Sequence, residues 1–310
     1  MNSIDYSPGA ILRETQQRIQ AELGDTIDSL TVERLVIGLF FTGVKLSNGI
    51  GGICFTPVKT IPEAVCCPSS AKAMPNSGRI KGTPVLEMLA AMYRGNALRK
   101  AIGIAVLNAL TETCWQKSGQ RDYGVERDVD ALDIVAIPEK AYAVVVGALV
   151  PIIKRLKQRG ERFTILEMDS STLKADELPY FVHGSQAAEV VPQADVLVIT
   201  GTTLINDTLD ELLHLAQPGA HIVVVGPTAS LMPEAFFRRG VDILGGVAVT
   251  HPDELLDLLA EAGSGYHYFG KYADRTVIRK VLAPSEPADR GAADELAAIK
   301  VLGSTERMGI

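Results

Sequence analysis

The segment AYAVVVGALVPIIKRLKQRGERFTILE, residues 141–167, decides how the chain is read. Its first part, Ala141 to Gly147, is an uninterrupted apolar run, the pattern of a strand buried on both faces. From Val150 to Gln158 the spacing becomes helical, with Pro151 in the first turn, where its missing N–H costs nothing. Phe163 to Glu167 is the next strand. Strand, helix and strand in this span make a βαβ unit, which closes right-handed and builds a parallel sheet. The same rhythm continues towards the C-terminus. Asp195 to Thr200, His221 to Gly226 and Val241 to Val249 read as strands, separated by helical patterns over Asp207 to Ala216, Pro233 to Arg239 and Pro252 to Ala262.

Upstream the pattern differs. Pro8 to Leu23 carries Ile11, Leu12, Ile19 and Leu23 at helical spacing and stops at Gly24. Leu30 to Val36, Ile37 to Leu46 and Ile50 to Phe55 are strand-like, and Asn48-Gly49 between the last two predicts a hairpin turn, because both residues tolerate positive φ. After the stretch from Pro68 to Pro84, Val85 to Trp115 is helical, as two helices or a bent one given Gly95 and Gly103. The charged, loop-like stretch from Gln116 to Glu139 marks a boundary. The expected fold class is therefore α/β in two parts: an antiparallel meander with helices over residues 1–125, and a parallel-sheet domain over 126–282. Residues 283–310, rich in Ala, Pro and acidic residues, read as a tail.

Composition narrows the class further. The chain has 310 residues, enough for two domains, and its 47% hydrophobic and 22% charged content argues against wholesale disorder. With 30 basic against 37 acidic residues and no Lys/Arg-rich run, it lacks the electrostatic footprint of a nucleic-acid binder. There is no basic-then-apolar leader and no uncharged stretch of the roughly 18 residues a membrane helix needs. Four cysteines, two adjacent, are a poor disulfide framework for this length. A soluble, cytoplasmic protein is expected, with a homodimer formed through the apolar face that a small meander leaves uncovered.

Ligands of open parallel sheets bind outside the carboxyl ends of the strands. Four segments fall there. Gly147 follows the first strand, yet a single glycine is not G-x-G-x-x-G, so no NAD is expected. Glu167 ends the next strand about 20 residues on, where dinucleotide folds place the acidic residue that binds ribose hydroxyls; a solvated strand-end carboxylate is the plainer alternative. Gly201, Thr202, Thr203 and Asn206 follow the third strand, and Gly226, Pro227 and Thr228 the fourth. Capping accounts for some of these hydroxyls and amides but not for all. In the N-terminal half, Thr42, Lys45 and Asn48 interrupt the most apolar stretch, and Asn108 sits in an otherwise apolar helix. Lys45 is either a solvated hairpin-edge residue or a cation aimed into a cleft; Asn108 is either a structural hydrogen-bonder or a cleft residue. If the sharper readings hold, these positions converge on one cleft.

Cys54, Cys66 and Cys67 lie within fourteen residues. C-x11-C-C is not a zinc-finger spacing, and free cysteines commonly pack as small hydrophobes. Thiolates are nevertheless the ligands that soft metals and iron–sulfur clusters take, and a loop Cys66-Cys67-Pro68 can offer sulfurs across a two-fold axis. No zincin, P-loop or nucleophile-elbow motif is present.

Taken together, VIGLFFTGVKLSNGIGG (36–52), GIAVLNAL (103–110), AYAVVVGALVP (141–151), TGTTLINDTLDELL (200–213) and VVVGPTASLMPEAFFRRGVDILGG (223–246) resemble the bacterial and archaeal heavy-metal chelation family, long catalogued as a domain of unknown function. The resemblance spans about residues 10–282. It implies a small enolase-N-terminal-like α+β domain followed by a Rossmann-like domain, a binding site in the cleft between them, and a link to metals or metallocofactors. Cys66 and Cys67 have no place in the family pattern. Two functions follow as expectations: binding of a metal ion or metal complex in the cleft, or an enzyme acting on a small polar metabolite or nucleotide-like cofactor such as S-adenosylmethionine.

Overall fold

In the computed structural model, which describes residues 4–60, 74, 76–117, 122–160 and 162–280, the strand alternation can be followed side chain by side chain. β5 (Ala143–Val146), β8 (Val196–Thr200) and β9 (His221–Val225) send Ala143, Val145, Val196, Val198, Val223 and Val225 into one apolar cluster. Their neighbours Val144, Leu197, Ile199, Ile222 and Val224 enter a second cluster on the opposite face. Both faces are dry, which is why these strands read as continuous apolar runs.

The large sheet has eight strands in the order β4-β11-β10-β9-β8-β5-β6-β7. Here β4 is Tyr123–Arg127, β6 Phe163–Glu167, β7 Phe181–His183, β10 Val241–Val249 and β11 Ala273–Lys280. β5 to β10 are parallel throughout. The expectation of a purely parallel sheet needs correcting at one edge, because β11 runs antiparallel to both β10 and β4. The chain leaves β10, forms a helix over Pro252–Ala260 and re-enters opposite the point it left, with Val249 paired to Ala273. The Gln116 to Glu139 stretch hides β4, the edge strand, and its neighbour β11 carries Asp274, Arg275, Arg279 and Lys280; charged strands at this end of the sheet lack the apolar signature of the central ones.

The N-terminal part is a three-stranded antiparallel sheet, β1 (Val32–Ile37), β2 (Phe41–Leu46) and β3 (Gly51–Phe55), with Gly49 at φ 83° in the expected hairpin turn. It packs with α1 (Ala10–Leu23), α2 (Val85–Met92) and α3 (Ala97–Lys117). The helical stretch breaks around Gly95. Gly103 stays inside α3, where a Cβ would lie 2.5 Å from the Cβ of Met92. The expected boundary at residue 125 falls within β4, and the largest apolar cluster draws on both halves, from Ile11 and Leu107 to Val224 and Ile278. Residues up to Lys280 form one unit. No helix among the described residues is long and apolar enough to cross a membrane.

Candidate functional site: a crevice at the switch point of the sheet

Counted in chain order, the six parallel strands lie 3-2-1-4-5-6 across the sheet, β7-β6-β5 on one side and β8-β9-β10 on the other. Crossovers from β5 and from β8 leave in opposite directions, so their loops part and open a crevice at the carboxyl edge. Gly147 follows β5 with φ 94°, and a Cβ there would lie 2.7 Å from the Thr200 methyl. Only glycine lets the two loops approach this closely.

Thr200, at the end of β8, organises the opposite wall. Its Oγ1 accepts from the Thr202 hydroxyl at 3.2 Å and the Thr202 N–H at 3.4 Å, while the Thr203 hydroxyl donates to its carbonyl at 2.7 Å. Asn206 Oδ1 accepts from Thr208 Oγ1 at 2.7 Å. Across the gap, Glu167 Oε1 takes the Met168 N–H at 2.7 Å and the Asp169 N–H at 3.2 Å, which holds the carboxylate at the end of β6. The resulting pocket encloses about 120 Å³ and brings together Gly147, Glu167, Thr202, Thr203 and Asn206. Val146, Leu166, Ala187 and Leu212 give it apolar walls, and Met168, Gly184, Thr200, Thr208 and Glu211 complete it. None of these five stood out in the sequence. Glu211 belongs to the first turn of a helix over Leu209–Leu215, and only the fold turns that helix end towards Glu167.

The polar groups of the lining are hydroxyls, one amide and the carboxylates of Glu167 and Glu211, with no Lys, Arg or His among the described residues that form it. Cations stand just outside. Lys59 pairs with Asp169 beside the pocket and holds that carboxyl well below the usual carboxylate range. Lys100 of α3 pairs with Asp207, whose φ of 61° is one that Asp tolerates better than most residues.

The remaining candidate residues separate into two places. Asn108 is buried at the seam between the halves, donating from Nδ2 to the carbonyls of Ile53 at 2.7 Å and Pro227 at 3.1 Å. Thr228 Oγ1 accepts the Phe55 N–H at 3.1 Å and lies 3.8 Å from Cys54 Sγ. Gly201 abuts this loop, since a Cβ would meet Ala229 and Thr228 at 3.0 and 3.3 Å, and Gly226 passes close to the Gly201 nitrogen. Thr42, across from Cys54 in the β2–β3 ladder, is bonded to the Thr56 hydroxyl at 2.9 Å. These residues join β3 and α3 to the 226–229 loop. Lys45 and Asn48 are elsewhere. Lys45 is bound by Asp253 at 2.7 Å and Glu33 at 3.1 Å, which raise its pKa, and Asn48 stays in its turn, donating to Thr113 Oγ1 at 3.0 Å. Lys45 is thus a paired hairpin-edge residue rather than a cleft cation, and it lies apart from the Thr202 loop.

Cys66 and Cys67 lie outside the described residues. Cys54 is fully buried, and desolvation pushes its pKa up to about 12, so it is a protonated packing thiol. Among the described residues no group of three or more His, Cys, Asp or Glu is placed to hold a metal ion. The crevice offers hard oxygen donors, and soft heavy metals prefer sulfur. The described donor set does not fit a directly ligated heavy metal.

A large, mostly parallel sheet of doubly wound order, with a small antiparallel sheet and helices packed on it and a crevice at its switch point, defines a mixed α/β protein with a Rossmann-like strand order. Two family models, both described as "putative heavy-metal chelation", match residues 20–111 and 130–278, and the chain belongs to that family. Two solved structures share the fold. One is a DUF364-family protein of unknown function from Pyrococcus horikoshii, with TM-score 0.68, 19% identity, and coverage of 87% of this chain and 99% of that one. The other is a DUF364-family protein of unknown function from Desulfitobacterium hafniense, with TM-score 0.61 at the same identity and coverage. An uncharacterized protein of Methanocaldococcus jannaschii is 28% identical over 174 residues, 56% of this chain, and the match spans 63% of that protein's length.

Proposed function

We propose that the switch-point crevice binds a small hydroxyl-bearing organic ligand, nucleoside-like in carrying a ribose-type diol, and that any metal handled by the protein is held by that ligand's own donors, as in a metal complex or metallocofactor. The observation that carries this reading is the convergence of Gly147, Glu167 and the Thr200–Thr203 turn on one pocket. Glu167 already spends Oε1 on two backbone N–H groups, and its charge serves adjacent hydroxyls as a charge-assisted acceptor. The pocket is well below the roughly 300 Å³ of an ordinary ligand site, which suits one sugar-sized moiety of a ligand that projects outwards. With two carboxylates and no basic residue in its described lining, it favours neutral or cationic ligands over phosphates. A homodimer through the exposed apolar residues Ile37, Leu39, Phe40, Phe55 and Val58 belongs to the same reading.

The test is calorimetric titration with adenosine, S-adenosylmethionine and adenosine monophosphate. The first two are expected to bind and the monophosphate to bind at least about tenfold more weakly, a difference of about 1.4 kcal/mol. Glu167→Gln keeps an acceptor for the two N–H groups but loses the charge, and is expected to lower adenosine affinity by about tenfold. Absence of binding, or unchanged binding by the variant, overturns the reading.

A second reading is favoured by the family description: Cys66 and Cys67 ligate a soft metal ion or iron–sulfur cluster, with one or two sulfurs from each subunit. Metal content and the absorption spectrum of anaerobically purified protein are expected to fall to background in the Cys66→Ser, Cys67→Ser double variant. Unchanged values there leave the cysteines without that role.

A further inference from the structure

Two carboxylates line the crevice, and they come from opposite sides of the switch point. Glu167 ends β6, whereas Glu211 stands in the first turn of the helix over Leu209–Leu215, which follows β8. Glu167 Oε1 is occupied by the N–H groups of Met168 and Asp169. The Glu211 carboxylate accepts no hydrogen bond and joins no ion pair among the described residues.

The nearby cations answer neither charge. Lys59 is paired with Asp169 and Lys100 with Asp207, so each lysine beside the pocket already has its own carboxylate. The plainer reading of Glu211 is an acid favoured by the helix N-terminus. The same turn, however, already carries Asp210, and a second acid there adds to the charge of Glu167 within one pocket of about 120 Å³. Between the two carboxylates stand apolar groups, Val146, Leu166, Ala187 and Leu212 among them. A cleft lined by one sign of charge, with low-dielectric walls, focuses its field on whatever enters. Two exposed carboxylates on an open surface would be screened; here they act together on one small moiety.

We propose that the crevice selects a positively charged nucleoside over a neutral one, with Glu211 as the residue that reads the charge. The inference rests on the nucleoside-like reading above and adds the ligand's charge to it. The diol goes to Glu167, and the cationic centre to the wall that carries Glu211.

Adenosine and 5′-amino-5′-deoxyadenosine differ by a single positive charge at neutral pH, and titration of the full chain with each tests this. The amino compound is expected to bind at least about tenfold more tightly. Glu211→Gln, close in shape, is expected to bring that ratio near to unity. Glu167→Gln is expected to weaken both compounds and to retain most of the ratio. Thermal unfolding shows whether the variants are folded. Raising the salt from about 0.05 M to about 0.5 M is expected to shrink the preference several-fold in the unaltered protein, which carries the test should Glu211→Gln not fold. Equal affinity for the two compounds, a preference indifferent to salt, or a preference kept by Glu211→Gln overturns the inference. In each of these cases adenosine binding that depends on Glu167 leaves the nucleoside reading standing. If neither compound binds, both fall.

Discussion

Arg239→Met is expected to lower the unfolding free energy by about 3–5 kcal/mol, the usual cost of removing one partner from a buried ionic cluster. The Arg239 side chain is fully buried and binds Glu14 at 2.6 Å, the carbonyls of Asp5 and Ala235, and the Asp210 carboxylate at 3.7 Å. Asp210 in turn accepts the N–H groups of Gly9 and Ile11, each at 3.1 Å, and so caps α1 from the far side of the chain. Methionine fills much of the space but leaves Asp210 without its buried cation and Glu14 with Arg238 alone. The pH dependence separates lost charge from lost packing. In the native protein the Arg239 hydrogen bond lowers the Glu14 pKa, so that contribution is present above the ordinary carboxylate range and is lost as pH falls through the lowered value. Asp210 is raised by burial, so its contribution has the opposite sign and favours the folded state as pH falls. Without Arg239, Asp210 loses a cation that opposed its rise and Glu14 keeps only Arg238, so both carboxylates take up protons more readily in the folded state, and the deficit of the variant is expected to shrink between about pH 7 and about pH 5. Denaturant unfolding at several pH values measures this. A deficit under about 1 kcal/mol, or one independent of pH, contradicts the electrostatic account.

Gly52→Ala is the second large effect, at roughly 3 kcal/mol of lost stability. β3 lies against α3 with no side chain between them at this point: a Cβ on Gly52 would run into the Ala105 carbonyl oxygen and lie 2.6 Å from the Ala109 nitrogen. Neither group can rotate away, because both belong to the helix backbone. β3 cannot simply lift off either, since Asn108 on the same helix holds the Ile53 carbonyl and the Pro227 carbonyl together. The strain therefore reaches the 226–229 loop and, through its contact with Gly201, one wall of the crevice. Gly124→Ala is the control, because a Cβ there meets nothing within 4 Å, and its effect is expected within about 0.5 kcal/mol. Comparable losses in the two variants would mean that β3 and α3 can separate at little cost.

Much of the architecture was legible because it rests on short-range physics. The apolar run from Ala141, Pro151 in the first helical turn, Asn48-Gly49 in the hairpin and the period of Phe163 to Glu167 each depend on solvent and on neighbouring residues, so the alternation of strands and helices could be read without coordinates. So could the places where the chain turns at the carboxyl ends of the strands, and with them Gly147, Glu167, Thr202, Thr203 and Asn206. What the sequence could not carry is partnership over long separations. Nothing local distinguishes Lys45, neutralised by Asp253 more than 200 residues away, from a lysine that faces a cleft. The charged strands β4 and β11 escape pattern reading because β4 forms the edge of the sheet and both carry charged side chains that answer to solvent rather than to a core. Glu211 comes to line the same pocket as Glu167, and Asp210 reaches the start of α1, only through the tertiary fold, in which β5 lies beside β8. Local propensity sets which segments form, whereas the pairing of strands distant in sequence decides which polar groups meet, because a buried charge or amide takes whichever partner the closed fold brings within hydrogen-bonding distance.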